Sequence, residues 1–321
     1  MRAPIRTITA ALLTLRALSL ATGQPSAPST GPSSATNAAQ APVTQEALAK
    51  TIAQSKGRPI YDAFSTIAKE ATTPEQQARA FGVVFPYLSS DKTCRVDDFY
   101  PPSFQVTERT FSYAEMAANT ILKLGAPATR GLVAGLTPPE TTLAERCAIL
   151  LCEMQESAIP VKESTREKGF PPLDPSARNA LQTFLQQRGS SLPVYTLTRF
   201  YRAGLLAAAG YIHSILKTTQ DPSEKNCAVS YLGSYGYEPA LNDLLEILKT
   251  NAGLRSTVRE GFAHFTDSER VAKAITEIMD NTKDEALRKE CQTALELVHL
   301  KAEWRRQYGK RTTNDPSVHS Q

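Results

Sequence analysis

Residues 127–136 read PATRGLVAGL and residues 239–248 read PALNDLLEIL. The two stretches share the frame Pro-Ala-x-x-x-apolar-apolar-x-x-Leu, opening at Pro127 and again at Pro239. A weaker echo follows, in which Ala274, Ile275, Ile278 and Met279 repeat the spacing of Ala240, Leu241, Leu244 and Leu245. Apolar residues at this spacing make a stripe along one side of a helix. A unit that cannot bury its own stripe must stack on its neighbours. The repeat therefore limits the fold to arrays of packed helices.

Helix starts are marked throughout the chain. Thr73-Pro74-Glu75-Gln76 places an N-cap threonine, a proline at N1 and a glutamine at N3, the pattern of a capping box. Asp221-Pro222-Ser223-Glu224 repeats it, Asp174-Pro175 has the cap and the proline, and Thr137-Pro138-Pro139-Glu140 sets a threonine and an acid around two prolines. Such side chains supply acceptors to the orphan amides of a helix's first turn. Between the marks the periodicity predicts helices near 44–55, 58–71, 73–89, 111–124, 127–136, 141–155, 175–187, 193–217, 222–234, 238–250, 253–264, 267–280 and 284–308. No stretch alternates apolar and polar residues beyond about five positions, and Asn-Gly and Asp-Gly hairpin signals are absent. The expected fold class is all-α.

The C-terminal half repeats at a second level. Leu254, Arg255, Val258, Gly261 and Phe262 align with Leu287, Arg288, Cys291, Ala294 and Leu295 at an offset of 33. Helix pairs with the pattern Leu-Arg-x-x-apolar-x-x-small-Leu, then a turn and apolar-x-x-apolar, resemble HEAT-like repeats of the short type. The same grammar runs from Leu124-Gly125-Ala126-Pro127-Ala128 into Leu132, Val133 and Leu136, then Arg146, Ala148 and Leu151. The resemblance covers about 121–155 and 222–298. It implies an α-solenoid of antiparallel helix pairs, HEAT-like or armadillo-type, over residues 44–300. Gly204, Ala207, Ala208, Ala209 and Gly210 supply small residues for close helix contacts.

Ahead of that domain, residues 1–23 have the form of a signal peptide. Arg2 and Arg6 form a basic n-region, Thr7 to Leu15 an apolar run, and Ala21-Thr22-Gly23 a small-residue cleavage site. The expected location is secreted or periplasmic. The alternative is mitochondrial, because the segment is also an acid-free, Arg-bearing amphipathic helix with Arg2, Arg6 and Arg16 within roughly 80° of one another. Residues 24–43 are mostly Pro, Ser, Ala and Thr, without charge, and are expected to form a disordered linker. No later stretch has 18 uninterrupted apolar residues, so no membrane span is expected in the mature chain.

The net charge of +4 falls to about +1 without the three leader arginines. Whole-chain electrostatics thus argue neither for nucleic acid nor for an anionic membrane. Among five cysteines, Cys147 and Cys152 share a predicted helix with about 7.5 Å between them along its axis, too far for a bridge. Cys147, Cys152, Cys227 and Cys291 all sit in apolar helical patterns and are expected as small hydrophobes.

Sequence motifs for nucleotide, zinc and serine-hydrolase chemistry are missing, and His213, His264, His299 and His319 form no pair at helical spacing. The DNA glycosylases among HEAT-like proteins depend on a basic face rich in aromatics, whereas this chain is nearly neutral and has one tryptophan, Trp304. The expectation is a non-enzymatic, exported protein-interaction scaffold with no cofactor, no metal and no nucleic-acid partner. The alternatives are a structural accessory subunit of an envelope or organelle assembly, or an enzyme with a site near Asp97 and Asp98. Residues 90–110 carry Pro101-Pro102 with Phe99, Tyr100 and Phe104, the candidate partner-binding residues. Residues 301–321 form a basic C-terminal tail. Its Lys301, Arg305, Arg306, Lys310 and Arg311 are explained most simply by a terminal helix whose last turns complement its dipole.

Overall fold

The computed structural model describes residues 58–95, 110–158 and 173–312, together with Ala47, Lys50, Thr51 and Gln54. Their regular secondary structure is helical apart from one pair of three-residue strands. The chain divides into two compact units between Gly131 and Leu132. The leader at 1–23, the linker at 24–43 and residues 159–172 lie outside the described residues.

In the first unit, α1 (Arg58–Glu70) and α2 (Pro74–Val84) precede a 3-10 turn (Phe85–Ser89), strands β1 (Thr93–Arg95) and β2 (Thr110–Ser112), and α3 (Tyr113–Leu124). Helix α3 packs on α1, α2 and the 3-10 turn. Phe64, Ile67, Val84, Leu88, Ala117 and Ile121 fill the core between them. Thr120 is buried there, and its hydroxyl donates to the carbonyls of Met116 at 2.8 Å and Phe64 at 3.2 Å. The capping box expected at Thr73 and Gln76 forms. A second one joins Ser112 and Glu115, each at 3.0 Å. The antiparallel strands pair Thr93 with Ser112 and Arg95 with Thr110. Three residues are too few to register as an alternating pattern in sequence.

The Pro-Ala frame has one local structure in both copies. Ala126–Ala128 is a 3-10 turn leading into α4 (Thr129–Ala134), and Glu238–Ala240 is a 3-10 turn leading into α10 (Leu241–Thr250). Proline at the turn's start has its φ preset and lacks an N–H that would go unpaired. Gly125 at φ 69° and Gly236 at φ 56° close the preceding segments in left-handed backbone. The equivalent positions Ala128, Leu132 and Leu136, and Ala240, Leu244 and Leu248, are all buried.

The second unit continues with α5 (Thr142–Ala158), α6 (Pro175–Arg188), α7 (Val194–Arg202), α8 (Ala208–Thr218) and α9 (Pro222–Ser234). After α10 come α11 (Arg255–Phe262), α12 (Ser268–Asn281) and α13 (Glu285–Thr312). The extensive helix contacts join α5 to α6 and α7, α7 to α8 and α9, and α9 to α8 and α11. They then join α11 to α10 and α13, and α12 to α10 and α13. Each of these pairs is one or two helices apart in the chain, and α5, α7, α9, α11 and α13 touch in sequence as one row.

The Leu-Arg alignment is reproduced in burial. Leu254, Val258, Gly261 and Phe262 are buried on α11 or at its start, as are Leu287, Cys291 and Ala294 on α13. The two aligned arginines act alike. Arg255 donates to the carbonyls of Leu248 and Lys249, and Arg288 donates to that of Thr282, so the guanidinium of each reaches the carbonyl six residues back. Each neutralises the negative end of the preceding helix. Arg255 also pairs with Asp284 at 2.9 Å. The Asp284 carboxylate accepts from the amides of Ala286 and Leu287 at the start of α13. Bonds from the Leu287 amide and from Arg255 hold this exposed carboxyl below its usual range.

Two expectations are corrected. The helix expected over 193–217 is two, α7 and α8, because Gly204 at φ 85° turns the chain between them. The helix expected over 141–155 forms as α5, but its cap is Thr141 and not Thr137: the Thr141 hydroxyl accepts from the Ala144 amide at 3.0 Å. Pro139 disfavours helical backbone at Pro138, so a helix cannot begin there. The Thr137–Pro138 peptide is cis.

Candidate interaction surfaces

Phe99, Tyr100 and Phe104, with Asp97 and Asp98, lie outside the described residues. The ends of their segment, Arg95 and Thr110, are paired partners in β1 and β2.

The C-terminal basic cluster is described through its first half. Helix α13 runs to Thr312, four residues past its expected end, so the beginning of the expected tail is helix. Arg305 is structural. It donates to the carbonyls of Phe265 at 2.6 Å and Ala263 at 2.9 Å, just past the end of α11. Lys301 sits 4.8 Å over the Trp304 ring. Trp304 is 52% exposed and Leu300 is 66% exposed, while Val298 is buried. His264 is held below its ordinary pKa by burial and by the charges of Lys301 and Arg305.

His213 of α8 bonds Asp243 of α10 at 2.6 Å, and Lys217 approaches the same carboxylate at 3.4 Å. The His213 ring meets Tyr237 edge-on at 5.9 Å. Partial desolvation raises the Asp243 pKa, but hydrogen bonds from His213 and Lys217 outweigh it and the carboxyl lies below its usual range. The His213 side chain is 12% exposed. Its partner is 30 residues away, a relation that no local spacing in the sequence announces.

A second polar seam joins α5 to α7. Arg199 pairs with Glu153 at 3.4 Å and Glu156 at 3.9 Å, and lies 5.5 Å over the Tyr195 ring. The Thr196 hydroxyl donates to Glu145 at 2.9 Å. Tyr201 of α7 stacks on Tyr235 at 3.8 Å, and burial pushes the Tyr235 hydroxyl up to about 12. These groups fasten one helix to the next.

Cys147, Cys152 and Cys291 are buried as expected, and desolvation raises each thiol, Cys147 to about 12. They stay protonated near neutral pH and are poor nucleophiles. Cys227 departs from expectation. It is exposed, because it shares the outward side of α9 with Ser230 and Ser234. Among the described residues no three His, Cys, Asp or Glu side chains are grouped to hold a metal ion, and no helix is long and apolar enough to cross a membrane.

Neither a protein-family model nor a curated protein matches the chain. A solved structure titled "Crystal Structure of Engineered Protein" is 15% identical over 80% of this chain, with a TM-score of 0.27. The match spans 61% of that protein's length.

Proposed function

We propose that the chain is a non-enzymatic protein-interaction scaffold whose second unit is a HEAT-like α-solenoid. The observation that carries the reading is the row α5–α7–α9–α11–α13, in which the extensive contacts link only helices one or two apart in the chain. A globule brings distant helices together, whereas a stack joins each repeat only to its neighbours. The repeated Arg caps and the small residues Gly261 and Ala294 at equivalent positions support it.

The same packing supports a choice of binding face. Within the row, Gly233 of α9 meets Gly261 of α11 so closely that a Cβ on either would lie 2.7 Å from the other's Cα. On the flanking side, α8 reaches α10 through the long side chains of the His213–Asp243 pair. A stack with one row drawn in more tightly than the other curves toward the tight row. The α9–α11 face is then concave and offers the contacts to an extended partner.

Photo-crosslinking residues placed at Ser230 on α9 and at Glu246 on α10, both exposed, test this in the native cell. The reading expects a discrete protein adduct from position 230 and none from 246. Adducts from 246 alone, or none from 230, contradict it.

A further inference from the structure

Helix α13 runs for 28 residues, twice the 14 of α12 beside it. Its packed side carries Leu287, Cys291, Ala294 and Val298, all buried. About 130° round the helix, at about 100° per residue, a second line passes through Thr293, Leu297, Leu300, Trp304 and Gln307. Its steps alternate four and three residues, the spacing of a coiled-coil seam with Leu297 and Trp304 at a and Leu300 at d. Leu300 and Trp304 are two of the three exposed large hydrophobics among the described residues. The seam position before Thr293 is Glu290, which is bonded to Arg259 of α11, so the open seam spans about two heptads.

Charge along the edges of this seam selects what can cover it. Glu296 and Glu303, both exposed, take the g positions on one edge. Lys301 takes e on the other, with its ammonium 4.8 Å over the Trp304 ring. Arg305 is held by the carbonyls of Ala263 and Phe265, and Arg306 lies about 140° away from the seam. Edges of mixed sign favour neither an anionic surface nor a uniformly acidic peptide. They do complement themselves. In two parallel helices in register, a g residue of one meets the e residue five positions on in the other. Glu296 precedes Lys301 by that interval, so two copies form the pair twice. Antiparallel copies would set Glu edge against Glu edge and Lys edge against Lys edge.

We infer that this seam of α13 pairs with the same seam of a second copy of the chain, the two helices parallel and in register about a twofold axis. Leu297, Leu300 and Trp304 bury against their counterparts, and the two Glu296–Lys301 pairs fix orientation and partner. A seam of two heptads is a small interface, so the dimer dissociates on dilution. The pairing does not depend on the solenoid reading of the second unit.

Sedimentation equilibrium of the full chain between about 1 and 200 µM reads the association. The expected result is a reversible monomer–dimer equilibrium, with the emission of Trp304, the chain's one tryptophan, moving to the red on dilution over the same range. Lys301→Glu and Glu296→Lys, with helicity checked by circular dichroism, should each weaken the dimer at least about tenfold. An equimolar mixture of those two variants should regain the parent's affinity, because each altered edge then meets its opposite. With Cys94 and Cys227 replaced by serine, Gln307→Cys should be joined to its counterpart by a short bis-maleimide, as only parallel copies in register allow. A monomer at every concentration overturns the proposal. So does a dimer of undiminished affinity in Lys301→Glu or in Leu300→Gln, a mixture that fails to recover, or the absence of the crosslink.

Discussion

Gly233 and Gly261 decide how closely α9 and α11 can approach. A methyl group at position 261 would meet the Gly233 backbone, which cannot rotate aside as a side chain can. Gly261→Ala should therefore cost about 1–3 kcal/mol from overpacking, although alanine is the better helix former by about 1 kcal/mol. Gly82 of α2 is the control, because nothing lies within 4 Å of a Cβ built there. Gly82→Ala should stabilise by about 0.5–1 kcal/mol. Denaturant midpoints of the two variants, measured against the parent, should move in opposite directions. Residues of this kind were partly legible in sequence. Gly261 aligned with Ala294 as a small position, but its partner Gly233 stands on another helix and carries no local mark. The same holds for His213 with Asp243 and Arg199 with Glu153. Spacing predicts which side of a helix is buried, and it leaves open which neighbour covers that side.

At the scale of elements, most helices were legible because their starts are written in side-chain chemistry. Thr73, Asp174 and Asp221 each cap the helix they were expected to cap. The failures have definite causes. Gly204 sits inside an apolar run whose period continues across it, so the periodicity of 193–217 concealed a turn. The threonine at 137 mimics a cap, yet its two prolines prevent the helix from beginning there. Thr141→Ala should then cost about 1 kcal/mol, the ordinary loss for an N-cap. Thr137→Ala should change stability by less than half of that. Urea unfolding of both variants checks the assignment, and a larger loss at 137 would move the cap back to that residue. The strand pair β1–β2 was invisible because three-residue strands have no period to detect. The aromatic segment it frames, with Phe99, Tyr100 and Phe104, was readable as a candidate from composition alone.

For the whole molecule, the repeated frame announced helices that bury one stripe each, and the structure reproduces that burial at corresponding positions in both copies. Charge was legible both as a near-neutral total and as the basic run from Lys301 to Arg311, but the bonds of Arg305 to the carbonyls of Ala263 and Phe265 were not. The proposal for the second unit is that helix pairs are added one after another, so separation in space grows with separation along the chain. Residues Thr183 of α6 and Lys273 of α12 are exposed and three steps apart on the side flanking the continuous row. With interaxial steps of about 8–10 Å, spin labels at these two positions, with Cys227 and Cys94 replaced by serine, should lie about 24–30 Å apart. The measurement is a pulsed dipolar distance distribution. A main peak in that range agrees with stacked pairs. A main peak below about 20 Å, the span of two interaxial steps or fewer, means helices folded back on one another in a closed globule and contradicts them.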